Sequence, residues 1–178
     1  MNSMKNGFVA VAAALLLVAG AAQAKGAVAK TETAMYEGKD QKAAAKALLD
    51  AAMSQTEGGS WERIGVGRVL YLGGQKADAQ AIFDQVLAGK HDAGDVYRVA
   101  RVYAEAHDWA KAKPLFDQFL AMGDYDEKEL SEIGAFYMLN GDRAAGENYF
   151  RQAIARDPKS TWASMRMAGA YLGVEPQP

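Results

Sequence analysis

The residues FDQVL at positions 83–87 return as FDQFL at 116–120 and as FRQAI at 150–154. The leading phenylalanines are therefore 33 and then 34 residues apart. Self-similarity of this period is typical of proteins that stack pairs of antiparallel helices, each pair burying its apolar face against the next. The sequence thus predicts an all-α fold of about three stacked helix pairs, and such a fold generally provides a binding surface.

Alignment on the repeated phrase defines three units, residues 60–92, 93–126 and 127–160. The first half of the second unit has apolar residues with the i, i+3, i+4, i+7 spacing of one helix face: Val96, Val99, Ala100 and Tyr103. One position of this face is very small in every unit, and its occupants are Gly67, Ala100 and Gly134. Because two helices approach closely only where no bulky side chain separates their backbones, we expect tight helix packing at this position.

A short turn follows each predicted first helix, and one turn position holds Gly74, His107 or Gly141. Glycine readily adopts the left-handed conformation that ends a helix. Asp108 and Asp142 come next and are predicted to cap the second helices. These second helices are expected to begin near Ala77, Ala110 and Ala144.

Incomplete units flank the three repeats. Residues 38–59 are predicted to hold a half-repeat helix and a linker, and the small, polar residues 25–37 are expected to be mobile. Residues 161–178 are predicted to form a capping helix and tail, because a terminal repeat must cover the last apolar face of a stack. The inner face of this capping helix is expected to carry Met167, Ala168 and Tyr171.

Residues 1–24 have the pattern of a signal peptide. Lys5 supplies a basic start, residues 8–20 form an apolar stretch, and Ala22-Gln23-Ala24 is a small-x-small cleavage site. We predict cleavage after Ala24, with an uncleaved signal anchor as the alternative, and no membrane span in the mature chain. The expected location is the bacterial periplasm or the extracellular medium.

The composition excludes several classes of function. The formal net charge of the chain is −2, too little positive charge for non-specific binding to nucleic acid. The chain has no cysteine, which removes disulfides, a thiol nucleophile and thiolate metal ligands. Helix packing alone must therefore hold the fold.

The motifs of the sequence do not indicate a catalytic, metal-binding or nucleotide-binding site. His91 and His107 fall in turns of different units, so we expect no metal site. Gly65-Val66-Gly67 lacks the third glycine of a dinucleotide fingerprint and lies in a predicted helix. The acidic run at residues 124–129 lacks the spacing of a calcium loop and instead fits a helix start, where the helix dipole favours acids. We predict that the protein is not an enzyme and has no cofactor.

The three units resemble tetratricopeptide repeats over residues 60–160. The resemblance rests on the small residue of each first helix, on Ala or Gly followed by Phe in each second helix, and on Asp157-Pro158 at the end of the third unit. Trp61 and Trp162 lie two positions before the family's tryptophan, and the first two units lack the closing proline. Pro114 is expected to shift or bend its helix. The chain is therefore identified as a divergent, exported bacterial member.

This resemblance implies a right-handed α-solenoid with flanking half-repeat helices, in which the first helices line a concave groove. First-helix residues that do not face their own second helix are then expected to point into the groove. They are Trp61, Ile64, Arg68 and Tyr71 in the first unit, Tyr97, Arg98 and Arg101 in the second, Lys128, Ser131, Ala135 and Met138 in the third, and Trp162, Met165 and Arg166 in the cap.

Arginine forks and aromatic faces of this kind are enriched at binding hot spots and suit a peptide with an acidic group or a terminal carboxylate. An alternative is that Arg68, Arg98 and Arg101 only pair with Glu62, Asp95 or Glu105. For the two tryptophans, burial between units is the preferred interpretation.

The function predicted from the sequence is a non-catalytic adaptor that holds a protein segment in the groove. Two alternatives remain open. One is a structural module that assembles with itself as a dimer or an end-to-end stack, because an open stack of repeats exposes apolar ends. The other is a binder of a small ligand or a cell-wall fragment.

Overall fold

The computed structural model describes residues 28–177, which contain eight α-helices, one short 3-10 helix at Thr33–Met35 and no strand. The prediction of an all-α fold is confirmed for this part of the chain. The helices are α1 Gln41–Gln55, α2 Ser60–Leu72, α3 Lys76–Ala88, α4 Ala93–Glu105, α5 Trp109–Met122, α6 Glu127–Leu139, α7 Arg143–Arg156 and α8 Thr161–Tyr171.

Local capping explains where two of the first helices, α4 and α6, begin. Asp92 and Asp95 satisfy each other's backbone N–H groups at the start of α4, and Asp126 and Glu129 do the same at the start of α6. The acidic run at 124–129 therefore belongs to a helix start, as its charge pattern indicates.

The repeated turn position adopts the left-handed conformation in all three units, with φ of +88° at Gly74, +56° at His107 and +90° at Gly141. Asp142 caps α7 by accepting a hydrogen bond from the backbone of Ala145, as predicted. The prediction of a cap was wrong for Asp108, which precedes α5 but makes no side-chain hydrogen bond that caps this helix. Its carboxylate instead accepts a hydrogen bond from the Tyr71 hydroxyl at 2.8 Å.

Consecutive helices pack as pairs: α2 with α3, α4 with α5, and α6 with α7. The repeated phenylalanines are all buried, and each lies in the second helix of its pair. A Cβ atom added to Gly67 would lie 2.4 Å from Phe83, and one added to Gly134 would lie 2.8 Å from Phe150. The small position of each first helix therefore makes room for the phenylalanine of its partner helix. A right-handed solenoid remains a prediction.

The same substitution is expected to have opposite effects at two helical glycines. A Cβ on Gly134 would also meet the Gly146 carbonyl oxygen at 2.9 Å, so Gly134→Ala should destabilise the fold by about 1–3 kcal/mol through overpacking. Gly65 in α2 has no atom within 4 Å of an added Cβ. Gly65→Ala should therefore stabilise the fold by about 0.5–1 kcal/mol through helix propensity. Chemical denaturation of both variants measures the two shifts, and two shifts of equal sign would contradict the packing described.

The segments before the repeats pack loosely. In α1 only Ala51 is buried, and a cavity of about 500 Å³ separates α1 from α2 and α3. Gln55 at the end of α1 donates a hydrogen bond to the Ala29 carbonyl at 2.8 Å, and Ala29 donates to the Ser54 hydroxyl. The mobility expected of residues 25–37 remains a prediction. The signal peptide and its cleavage site lie outside the described residues, and among those described no helix is long and apolar enough to cross a membrane.

The capping helix α8 packs on α6, but with a different face from the one predicted. Ala163 and Ala170 are buried and Met167 packs beside them, whereas Ala168 and Tyr171 are exposed. Ala168 and Tyr171 hold the positions that face a second helix in the complete units. The described chain has no second helix after α8, and Tyr171 instead turns to α7, where its hydroxyl donates to Glu147 at 3.0 Å and its ring lies 6.2 Å from Phe150.

The chain turns away from the axis of α8 immediately after that helix. Gly173 has a φ of +74°, its N–H donates to the Ala170 carbonyl, and the Val174 N–H donates to the Gly169 carbonyl at 2.8 Å. These two bonds form a Schellman motif, which satisfies the last carbonyls of the helix and turns the backbone away from its axis. Residues 173–177, here called the return segment, then run back towards α4.

Candidate peptide-binding pocket

A pocket of about 400 Å³ lies between α2 and α4 and is here called the α2–α4 pocket. It combines apolar and guanidinium side chains from two first helices with one aromatic ring of α6 and with the return segment. Its lining consists of Trp61, Ile64, Gly65 and Arg68 of α2, Arg98, Arg101, Val102 and Glu105 of α4, Phe136 of α6, and Glu175, Pro176 and Gln177.

Trp61 forms an open wall of the pocket. Its side chain is 66% exposed, and the Arg98 guanidinium lies 4.6 Å from its ring centroid. This cation–π contact joins the start of α2 to α4. The preferred prediction of burial was wrong for Trp61, because α1 packs too loosely on α2 to cover the start of that helix. An exposed indole beside a guanidinium is a surface suited to recognition.

Arg68 bridges the pocket from α2 to α4. Its Nε donates to Glu105 Oε2 at 2.7 Å, and its Nη2 donates to the other oxygen of the same carboxylate. This hydrogen bonding raises the pKa of Arg68, so the guanidinium stays charged. Pairing of Arg68 with Glu105, and of Arg98 with Asp95 at 3.6 Å, was the structural alternative considered for these arginines, and both pairs are present.

Glu132 of α6 is a buried charged group near the pocket, with 3% of its surface exposed. Its Oε1 lies 2.5 Å from Arg101 Nε, and its Oε2 lies 3.4 Å from Arg166 Nη2. Burial raises the pKa of the Glu132 carboxyl, while the two guanidiniums act in the opposite sense. The arrangement joins α4, α6 and α8 through one carboxylate. Arg101 therefore has both a structural partner and a place in the pocket lining.

Two predicted groove residues of the first two units pack against their own second helices instead. Tyr71 is only 1% exposed, and its ring packs on Phe83 of its own second helix, at 6.2 Å between centroids. Tyr97 lies against Phe119 of α5 at 4.7 Å, and burial is the main cause that raises its pKa. Both predictions were wrong because a first helix buries a broader face than the four-residue pattern indicates. Ile64 is buried too, but it does line the pocket.

The predicted residues of the third unit and the cap do not extend the pocket. Ser131 and Ala135 are fully buried on α6, to which α8 packs closely, and Met138 lies against Gly146 of its own second helix. The remaining four residues lie outside the lining, and one of them, Met165, is 51% exposed on α8. Lys128 is exposed at the start of α6, Trp162 is 59% exposed on α8 where burial was preferred, and Arg166 reaches Glu132.

The geometry of the pocket can be set beside known proteins. No family model, curated protein or solved structure matches this chain. The resemblance to tetratricopeptide repeats therefore rests on the motifs of the sequence.

Sequence reasoning missed three contributors to this region: Glu132, Phe136 and the return segment. Glu132 had a detectable signal, since it lies 34 residues from both Arg98 and Arg166 and occupies their register position in α6. For the return segment, the signals in the sequence were the glycine after α8 and the Glu-Pro pair that follows it. Within residues 28–177 no group of three or more histidine and acidic side chains is arranged to hold a metal ion.

Proposed function

We propose that the protein is a non-catalytic interaction adaptor of the bacterial periplasm that holds an extended segment of a partner protein in the α2–α4 pocket. In this proposal the helix pairs form a right-handed solenoid of tetratricopeptide type, and the pocket lies on its concave side. The observation that supports the proposal is that a stretch of the chain's own polypeptide, residues 175–177, already lies along the pocket with the side chains of α2 and α4.

The chemistry of the lining favours an acidic segment. Three guanidiniums, those of Arg68, Arg98 and Arg101, face the pocket beside an exposed indole. Arginine binds carboxylates through paired N–H donors, and an aromatic wall accepts the ring of a proline or another apolar side chain. Glu105 and Glu132 already pair with two of these arginines, so a partner carboxylate would share or replace an existing ion pair.

A site-specific crosslinking experiment tests the proposal. A photo-reactive p-benzoylphenylalanine is placed at Gly65, where the pocket has open space, and in a control at Val69, which is exposed on α2 but outside the lining. The probe at position 65 is expected to capture a distinct partner protein in cells, and the probe at position 69 is not. Equal capture at both positions, or none at position 65, would contradict the assignment of the pocket.

A second candidate function, self-assembly, is favoured by the outer face of α8. Trp162 and Met165 are exposed on α8 and Leu172 directly after it, and no helix of the described residues follows α8. Such a face is typical of an interaction surface. Sedimentation of wild type and Leu172→Lys over a range of concentrations distinguishes this candidate. A mass that rises with concentration in wild type alone would support it.

A further inference from the structure

We propose that the return segment is a built-in occupant of the α2–α4 pocket, and that a partner must displace it in order to bind. This inference rests on the proposed function, since it concerns the regulation of the same pocket. It also specifies the chemistry of the partner segment, which should be extended and should present a carboxylate followed by an apolar residue, as Glu175 and Pro176 do.

The first line of support is the path of the chain. The Schellman motif at Gly173 directs the backbone away from the axis of α8. Glu175, Pro176 and Gln177 then reach the same pocket as Trp61 and Arg68, which lie more than 100 residues earlier in the sequence. Pro176 is partly buried there, whereas its neighbours Glu175 and Gln177 are exposed. A proline has a fixed φ, which limits the conformations that the segment can adopt.

The second line of support is the contact that holds the segment. Glu175 Oε1 lies 3.2 Å from Nδ1 of His107, a distance at which a protonated Nδ1 donates to the carboxylate. His107 and Glu175 are both partly solvent-exposed, so this contact can open without disturbing the core. Exposed pairs of this kind contribute little to stability, and the contact is therefore suited to reversible release.

The third line of support is the conformation of His107. The equivalent positions in the other two turns are glycines, Gly74 and Gly141, and all three have positive φ. A non-glycine residue in this conformation is strained, and strain of this kind concentrates at functional sites. A glycine would be the cheaper residue for the turn. His107 is thus the one of the three turn residues that has a side chain, and that side chain contacts the return segment.

Whether the return segment lies in the pocket can be measured with a label on one introduced cysteine, because the chain has no cysteine of its own. In a Gln177→Cys variant labelled with bimane, the probe lies in the same pocket as Trp61, and contact with the indole is expected to quench its fluorescence. Trp61→Phe should abolish the quenching, whereas Trp162→Phe should preserve it.

His107→Gly, which restores the residue of the other two turns, should release the probe without lowering the melting temperature. Glu175→Gln should release it as well, whereas Glu62→Gln, an exposed acid outside the pocket, should not.

The regulatory consequence is measured with the crosslinking probe at position 65. If the segment occupies the pocket for about nine-tenths of the time, His107→Gly and Glu175→Gln should each raise partner capture about tenfold at low partner concentration. Quenching that does not depend on Trp61 would show that the return segment does not lie in the pocket. Release of the probe with no rise in capture would overturn its competition with the partner. If the quenching is intact but the probe at position 65 captures no partner in any variant, the proposed function is contradicted. The proposed competition between partner and return segment is then contradicted as well.

Discussion

Phe116→Ala is expected to lower the free energy of unfolding by about 3–5 kcal/mol, the usual cost of removing a buried aromatic ring. Phe116 is fully buried in α5, and its ring lies 5.6 Å from Phe136 of α6 in a stacked arrangement. It also packs on Tyr97 of α4 at 6.0 Å and on Trp109 at 6.1 Å. The substitution would therefore leave a cavity where the second and third units meet.

Chemical denaturation followed by circular dichroism measures this loss. Ile154→Ala is the matched control, because Ile154 belongs to the same repeated phrase but is 48% exposed on α7. Its effect should stay within about 0.5 kcal/mol, as for other surface substitutions. Equal losses for the two variants would mean that the repeated phrase does not mark the core in the way described.

Trp61→Ala is expected to weaken binding of a partner segment about 30-fold, which corresponds to about 2 kcal/mol for a tryptophan hot spot. The indole is exposed, so its removal should leave the melting temperature nearly unchanged. Trp162→Ala is the matched control. Trp162 holds the equivalent register position in α8 and has a similar exposed fraction, but it does not line the α2–α4 pocket.

The measurement is fluorescence anisotropy of a labelled segment of the protein captured by the probe at position 65. Equal affinity losses in the two variants would contradict the pocket, since they would indicate a surface that runs along all the first helices. No loss in either would show that the indole takes no part in binding.

The starts of the first helices were largely predictable, because the period of the repeat marks them and α4, α6 and α8 also have a capping side chain. The units were predicted to begin at residues 60, 93 and 127 and the cap at 161, where α2, α4, α6 and α8 begin. Capping acids and left-handed turn positions act within a few residues, so a sequence shows them directly. Pro114 was expected to shift or bend its helix, yet it lies inside the continuous helix α5.

The pocket was less predictable, because it depends on how helices from different units meet. Tyr71 and Tyr97 appeared to face the groove, but the neighbouring rings of α3 and α5 cover them. Ser131 is buried because α8 packs closely on α6. A periodic pattern shows which side of a helix is apolar, but not how far the neighbouring helix extends over its edges. The return segment has no period, so no repeat alignment could place it.

The ion pairs around Glu132 have a consequence for the order of the units along the chain. Arg98, Glu132 and Arg166 occupy one register position in three successive first helices, so the sign of the charge alternates from unit to unit. The one acid of the series lies between arginines of the preceding and following first helices, Arg101 and Arg166. If the third unit were duplicated in tandem, two glutamates would hold adjacent register positions in place of a glutamate and an arginine. The repeats are thus alike in shape but not exchangeable, and this alternation opposes a shift of the chain by one unit during folding.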